Sequence, residues 1–409
     1  MKKANTIPAV RPVIPVSDRL GDTKEYYFST KLREIAALRA AGKDILNLGI
    51  GSPDLPPAPE VVAALTESAR SEDAHGYQPY VGRPELRTAF SSWYARYFGV
   101  TLDPDTELLP LMGSKEGIMH ISMAFLNPGD EVLVPNPGYP TYRSATELAG
   151  GVVRSYDLSA ASDWLPDLEV LESAGLDRVK IMWINYPHMP TGATAPPDFF
   201  PRLVDFARRN GILLVNDNPY AFILTDSVQS LLSVPGAREV ALELSSLSKA
   251  QNMAGWRVGV LAGAEEYLQT VLRFKSNMDS GMFLPVQRAA AVALGLGEDW
   301  YTKLNETYRR RQQVAFRIMD TLGCTYDRQQ VGLFVWAKCA GSTDGYGTCD
   351  RALYDHDVFL TPGGIFGSAG EQYVRISLCS TEAELLQALD RLAVSAASDD
   401  SQPESRHSW

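Results

Sequence analysis

The chain has 409 residues, 45% hydrophobic and 21% charged, with a formal net charge of −11. That is the make-up of an ordinary soluble globular protein, longer than one core usually fills, so a large domain with a smaller companion is expected. The basic residues are scattered, which excludes a broad face for nucleic acid or anionic lipid, and no apolar run approaches membrane-spanning length.

The opening MKKANTIPAVRPVIPV sets two lysines before a stretch broken by three prolines. That is unlike an export leader, and a cytoplasmic location is expected. Residues 1–30 read as an irregular arm. A helix is predicted over 83–98, with Pro84 suited to its first turn and Gly99 to its stop. Short apolar and β-branched runs at 107–112, 131–134, 180–184, 212–215, 240–247 and 258–262 read as strands. Strands alternating with helices argue for an α/β fold with a largely parallel sheet flanked by helices, placed in a large domain at 56–298. A long helix over 299–322 changes the pattern to strand (332–338), loop, strand (373–378) and helix (382–392). Residues 299–395, with 31–55, are assigned to a smaller α/β domain, and 396–409 to a disordered tail. Cys324, Cys339, Cys349 and Cys379 show no CxxC spacing and no histidine cluster lies near them, so they read as reduced structural thiols with no metal site.

Chemistry concentrates at the strand ends, where open α/β sheets hold their ligands. These ends carry GSKEG (113–117), PNPGYPTY (135–142), NYPHMPTG (185–192), NDNPY (216–220) and SLSK (246–249). Gly113, Ser114 and Lys115 open a helix whose free N–H groups suit a phosphate, although a plain glycine turn looks the same. Tyr139 offers a stacking face. Asp217 follows a buried strand and needs a cationic or hydrogen-bonding partner, with Tyr220 three residues on. Lys249 ends another buried strand, where low dielectric disfavours the ammonium and frees an amine for Schiff-base chemistry. Phosphate cradle, stacking ring, acid, phenol and amine form the set that pyridoxal phosphate requires.

The segment SLSKAQNMAGWRVG (246–259) resembles the Schiff-base signature of fold-type-I pyridoxal-phosphate enzymes. From Asn47 to Cys379 the motifs follow the order of the class I/II aminotransferases, and the resemblance implies a mostly parallel seven-stranded sheet flanked by helices in the large domain. The resemblance implies that Lys249 binds the cofactor covalently and shuttles a proton. It implies that Ser114, Lys115, Ser246, Ser248 and Arg257 hold the phosphate, that Tyr139 stacks on the ring, that Asp217 pairs with the ring nitrogen, and that Tyr220 donates to the phenolic oxygen. Arg375 in YVRIS is similar to the arginine that clamps a substrate carboxylate, and Gly51 in NLGIGSPD to a backbone turn beside the substrate. Tyr77 in YQPYVG looks like a tyrosine that reaches the neighbouring subunit's cofactor, implying a homodimer with shared sites. Gly255 is expected to permit the tight loop that returns Arg257 towards Lys249.

One departure stands out: where the family usually reads NPTG, this chain reads Met189-Pro190-Thr191-Gly192, and a methionine cannot donate to the phenolic oxygen. His188 and, ranked below it, Asn185 are alternative donors, and the resemblance suggests a cis Met189–Pro190 bond. Dicarboxylate-preferring relatives use an additional arginine from the partner subunit, and the stretch SNMDSGMFLPVQR (276–288) shows none near the expected place; Phe283 and Leu284 are there instead. The lean is towards a non-acidic amino-acid side chain, with Tyr26, Tyr27, Ile365 and Phe366 as pocket walls, and LL-diaminopimelate stays open. The expected activity is ping-pong transfer of an amino group between an amino acid and a 2-oxo acid. Alternatives are a pyridoxal-phosphate lyase or decarboxylase on the same fold and, from another class, a non-enzymatic cofactor-binding regulatory module.

Overall fold

The computed structural model describes residues 14–21, 23–341 and 344–399. Its strands in chain order are β1 (Leu46–Asn47), β2 (Leu108–Leu111), β3 (Glu131–Asn136), β4 (Val152–Asp157), β5 (Val179–Ile184), β6 (Leu213–Asp217), β7 (Ala241–Ser246), β8 (Gly259–Gly263), β9 (Phe334–Lys338), β10 (Val358–Phe359), β11 (Thr361–Pro362) and β12 (Tyr373–Ser377). Seven of them form one sheet in the order β2-β8-β7-β6-β5-β3-β4. The pairs β3/β4, β3/β5, β5/β6 and β6/β7 are parallel, while β8 runs antiparallel between β7 and β2. The mostly parallel sheet flanked by helices agrees with the expectation from sequence. Every residue of β6 is buried, as its unbroken apolar run LLV demands of a strand covered on both faces.

The strand β4 escapes the sequence reading because it lies at the sheet edge. Its residues VVRSYD are mostly half-buried or exposed, so no continuous apolar run marks it. Smaller sheets stand apart: β1 pairs with β10, and β12 lies between β11 and β9. The helix Glu298–Thr321 packs along the last helix, Glu382–Asp399, and Arg311 on the former grips Asp54 bidentately at 2.6 and 2.7 Å. Pro84 and Gly99 bound the helix Pro84–Phe98 as expected, Gly99 at φ 65°.

Two boundaries differ from the sequence reading. The helix Tyr27–Ala40 begins inside the span assigned to the arm, because YFSTKLREIAALRA contains no proline or glycine to stop it. The last helix continues to Asp399, carried past 392 by the alanine-containing AVSAAS, and so enters the span assigned to a disordered tail. Residues 1–13 and 400–409 lie outside the described residues. All four cysteines are buried and unpaired.

Candidate active site

The carboxyl ends of β2, β3, β5, β6 and β7 open onto one cavity of about 460 Å³, lined by Ser114, Lys115, Tyr139, Asp217, Tyr220, Ser246, Ser248, Lys249, Arg257, Arg375 and Gly51. Eleven sequence-predicted residues therefore meet in one place; Tyr77 does not. It is 93% exposed and stands outside the lining.

At one end, Gly113 at φ 87° turns the chain from β2 into the helix Ser114–Phe125. A Cβ at Gly113 would sit 2.2 Å from Nη2 of Arg257, and one at Gly259 would sit 2.8 Å from the Ser114 nitrogen. Both glycines allow the turn, the arginine and β8 to come together. Ser246 Oγ donates to Ser248 Oγ at 2.9 Å and Arg257 Nη1 reaches Ser248 Oγ at 3.4 Å. No carboxylate pairs with Arg257 or Lys115 among the described residues, so this end gathers hydroxyls and positive charge without an anion. The return of Arg257 differs from the expectation. Gly255 sits inside the short 3-10 turn Ala254–Trp256, and the left-handed positions are Asn252 (φ 55°) and Arg257 itself (φ 59°). An asparagine tolerates that conformation, and the arginine's own contacts hold it there.

At the middle of the cavity, Lys249 Nζ donates to the Gly51 carbonyl at 2.7 Å, and burial lowers its pKa. A Cβ at Gly51 would lie 2.3 Å from the Phe334 ring, which is why glycine stands there. Burial pushes Asp217 up to about 6, partly countered by a 3.0 Å hydrogen bond from the Tyr142 hydroxyl to Oδ2. Its other oxygen, Oδ1, is buried with no partner. Tyr220 is buried, its pKa raised by that burial, with Lys249 Nζ 5.9 Å from its ring centre.

At the far end, Arg375 is 3% exposed and has no carboxylate partner among the described residues. Its guanidinium lies 3.8 Å from the ring centre of Phe334 and 4.6 Å from that of Phe366, and donates to the Gly49 carbonyl at 2.9 Å. Nη1 points at the Met189 sulfur, 3.4 Å away, and Nε is buried without a partner. Burial lowers its pKa to about 10. A desolvated cation held by rings and one carbonyl is a site for a planar anion.

Several expectations for the walls need correction. Tyr26 and Phe366 line the cavity, whereas Tyr27 packs with Ile35, Ile45, Leu353 and Phe359. Ile365 faces a separate hollow beside Pro135 and Asn136. His188 does not enter the cavity. Its Nδ1 meets Thr191 Oγ1 at 2.8 Å, and burial lowers its pKa to about 3. Asn185 does line the cavity, but its amide oxygen accepts from the Met189 nitrogen and its amide nitrogen donates to the Asp217 carbonyl. The Met189–Pro190 bond is cis. Sequence reasoning missed Tyr142, Phe28 and Phe334. Tyr142 carried a signal, since it stands one helical turn beyond Tyr139 in the same motif and so faces the same way.

The observations fit pyridoxal phosphate. The orphaned Asp217 Oδ1 is an acceptor waiting for a ring N–H, and the uncompensated Arg257 end suits a phosphate dianion. A mostly parallel α/β sheet with this pocket at its strand ends defines a pyridoxal-phosphate enzyme of fold type I. The chain belongs to the family "Aminotransferase class I and II", whose profile matches residues 43–392. It is 41% identical over 376 residues to the LL-diaminopimelate aminotransferase of Desulforudis audaxviator (strain MP104C), covering 91% of this chain and 96% of that one. The Aquifex aeolicus (strain VF5) LL-diaminopimelate aminotransferase is 39% identical, with 92% and 98% covered. Among solved structures, substrate-bound BacF from Bacillus subtilis superposes with a TM-score of 0.89 at 34% identity, covering 94% and 98%. A Thermus thermophilus aspartate aminotransferase double mutant superposes with 0.86 at 27%, covering 93% and 99%. The protein is a pyridoxal-phosphate-dependent aminotransferase acting on small amino and oxo acids. Among the described residues no helix is long and apolar enough to cross a membrane.

Proposed function

We propose that Lys249 is the amine that holds the cofactor and then carries the proton of the transfer, that Asp217 keeps the ring nitrogen protonated, and that Arg375 orients the substrate through its α-carboxylate. Pyridoxal phosphate, when bound, supplies the aldehyde and the electron sink. Burial lowers the cost of leaving Lys249 Nζ neutral, which is what a nucleophilic amine and a base at the substrate Cα both require. The Gly51 carbonyl, 2.7 Å from Nζ, gives the amine a resting position between its two tasks. Ser114, Lys115, Ser246, Ser248 and Arg257 would hold the phosphate, Tyr139 the ring face, and Tyr220 the phenolic oxygen. The orphaned Asp217 Oδ1 is the single observation that carries this reading.

The further parts of the reading rest on the same arrangement. Tyr77 is wasted on its own chain and suits a homodimer in which it reaches the partner's cavity. A large domain at 56–298 and a small one at 31–55 with 299–395 would then close on the substrate. The rings of Tyr26, Phe28 and Phe366 favour an amino donor with an apolar or aromatic side chain. The names of the relatives at about 40% identity favour LL-diaminopimelate as a second reading. Aromatic, branched and diamino donors screened against several 2-oxo acids, read by the cofactor's absorbance, separate the two. Conversion of the cofactor to its amine form by an amino acid alone is expected. Release of ammonia and a 2-oxo acid without any acceptor would instead make the enzyme a lyase.

A further inference from the structure

Outside the cavity, Glu116 and Asp279, both half-buried, gather with the buried His120 and Lys275 into one polar cluster. Lys275 is 1% exposed, and its ammonium lies 2.9 and 2.8 Å from the two oxygens of Asp279 and 3.2 Å from the Tyr80 carbonyl. Asp279 also accepts from the Gly281 nitrogen at 3.2 Å. His120 is fully buried, with Nε2 3.0 Å from Glu116 Oε1. One ligand atom each from Glu116, His120 and Asp279 fall within 4.8 Å of one another. The set resembles a cation site, but the Lys275 ammonium already stands against Asp279 as the cation.

What the cluster touches gives it a use. Glu116 lies in the first turn of the helix Ser114–Phe125, and its Oε2 folds back to accept from the Met112 nitrogen. The carbonyl of Met112 accepts from Arg257 Nη2 at 3.4 Å. One residue, Met112, thus joins the turn that presents Ser114 to the arginine beside it: Glu116 holds its backbone nitrogen, and Arg257 binds the carbonyl of the next amide plane. From the other side, Gly281 at φ 81° presses on the Gln78 carbonyl, where a Cβ would come within 2.6 Å. The cluster therefore links 112–116, 275–281 and the 77–80 segment that carries Tyr77.

We propose that Glu116, Lys275 and Asp279 are positioning residues that set the phosphate-binding turn and couple its placement to the Tyr77 segment. This rests on the reading of Ser114 and Arg257 as phosphate holders. Glu116→Gln keeps an acceptor for the Met112 nitrogen, whereas Glu116→Ala removes it. In the holoenzyme, Glu116→Ala is expected to lose pyridoxal phosphate about tenfold faster on dialysis, while Glu116→Gln stays within about twofold of wild type. Binding of pyridoxal, which has no phosphate, should change little in either variant. That difference separates positioning of the phosphate turn from general loosening of the fold.

Lys275→Met combined with Asp279→Asn neutralises both members of the Lys275–Asp279 pair together and serves if the alanine variant fails to fold. Its amide hydrogens at both 77–81 and 112–116 are expected to exchange faster than in wild type, with the same selective weakening of pyridoxal phosphate. Equal weakening of pyridoxal and its phosphate, or faster exchange in only one of the two segments, would overturn the proposal. Borohydride trapping at Lys249 in wild type tests the underlying reading separately, and the exchange measurement decides the coupling whichever way that comes out.

Discussion

Replacing Asp217 by asparagine should make the cofactor-free protein more stable near neutral pH while weakening its hold on the cofactor. Burial raises the Asp217 pKa from 3.8 to about 6, and the Tyr142 hydrogen bond, the nearby Ser114 hydroxyl and the Lys249 charge offset only part of that. The folded state therefore binds a proton more tightly than the unfolded chain. Stability then falls as pH rises from the unfolded value through the folded one, and levels off above it. About two pKa units correspond to ~3 kcal/mol, carried in full at neutral pH by the empty site. Asparagine keeps an acceptor for the Tyr142 hydroxyl and carries no charge to desolvate. Urea unfolding of cofactor-stripped protein at about pH 4.5 and pH 7.5 should show the variant ahead by only ~1 kcal/mol at the lower pH, where the unfolded carboxyl is already mostly ionised. At the higher pH the variant should lead by up to ~3 kcal/mol. If Asp217→Asn is the less stable protein at neutral pH, or if the gap does not change with pH, the carboxylate is not held in the unfavourable state described here.

Arg375→Lys should raise KM for the amino acid by about a hundredfold with cofactor binding unchanged, because an ammonium cannot form the bidentate pair or fill the space between Phe334 and Phe366; steady-state kinetics and a cofactor titration on the same variant check both halves. Met189→Asn should move the pH midpoint of the bound cofactor's absorbance downward, since an amide can donate where the thioether cannot; equal midpoints in spectrophotometric titrations would show that the missing donor has no effect on the ring. Gly113→Ala should cost most of the cofactor affinity, because the new Cβ meets the Arg257 guanidinium at 2.2 Å and the backbone there is left-handed; equilibrium dialysis reads it directly.

How far the sequence speaks depends on how local the signal is. The central strands were legible because LLV and its equivalents are unbroken apolar runs that only a doubly covered strand tolerates. The site was legible where function puts unusual residues directly after such runs, as with Asp217, Lys249 and the Gly113–Lys115 turn. The strand β4 was not, because its exposed edge leaves only weak alternation. Nor was the contact of Arg375 with Met189, which joins residues 186 positions apart and exists only once β12 and the loop after β5 are packed together. His188 misled for the same reason. Its neighbours in sequence face the cavity, but a cis bond on each side of the His188–Met189 pair, at Tyr186–Pro187 and Met189–Pro190, accompanies a ring that points into the core.

The central claim is that one buried amine carries the chemistry. Saturating the protein with pyridoxal phosphate, reducing it with borohydride and mapping the peptides measures this directly. A single reduced cofactor adduct on Lys249 is expected, absent from a Lys249→Ala variant. An adduct on Lys115 or another lysine in place of Lys249, or none at all, would contradict the account.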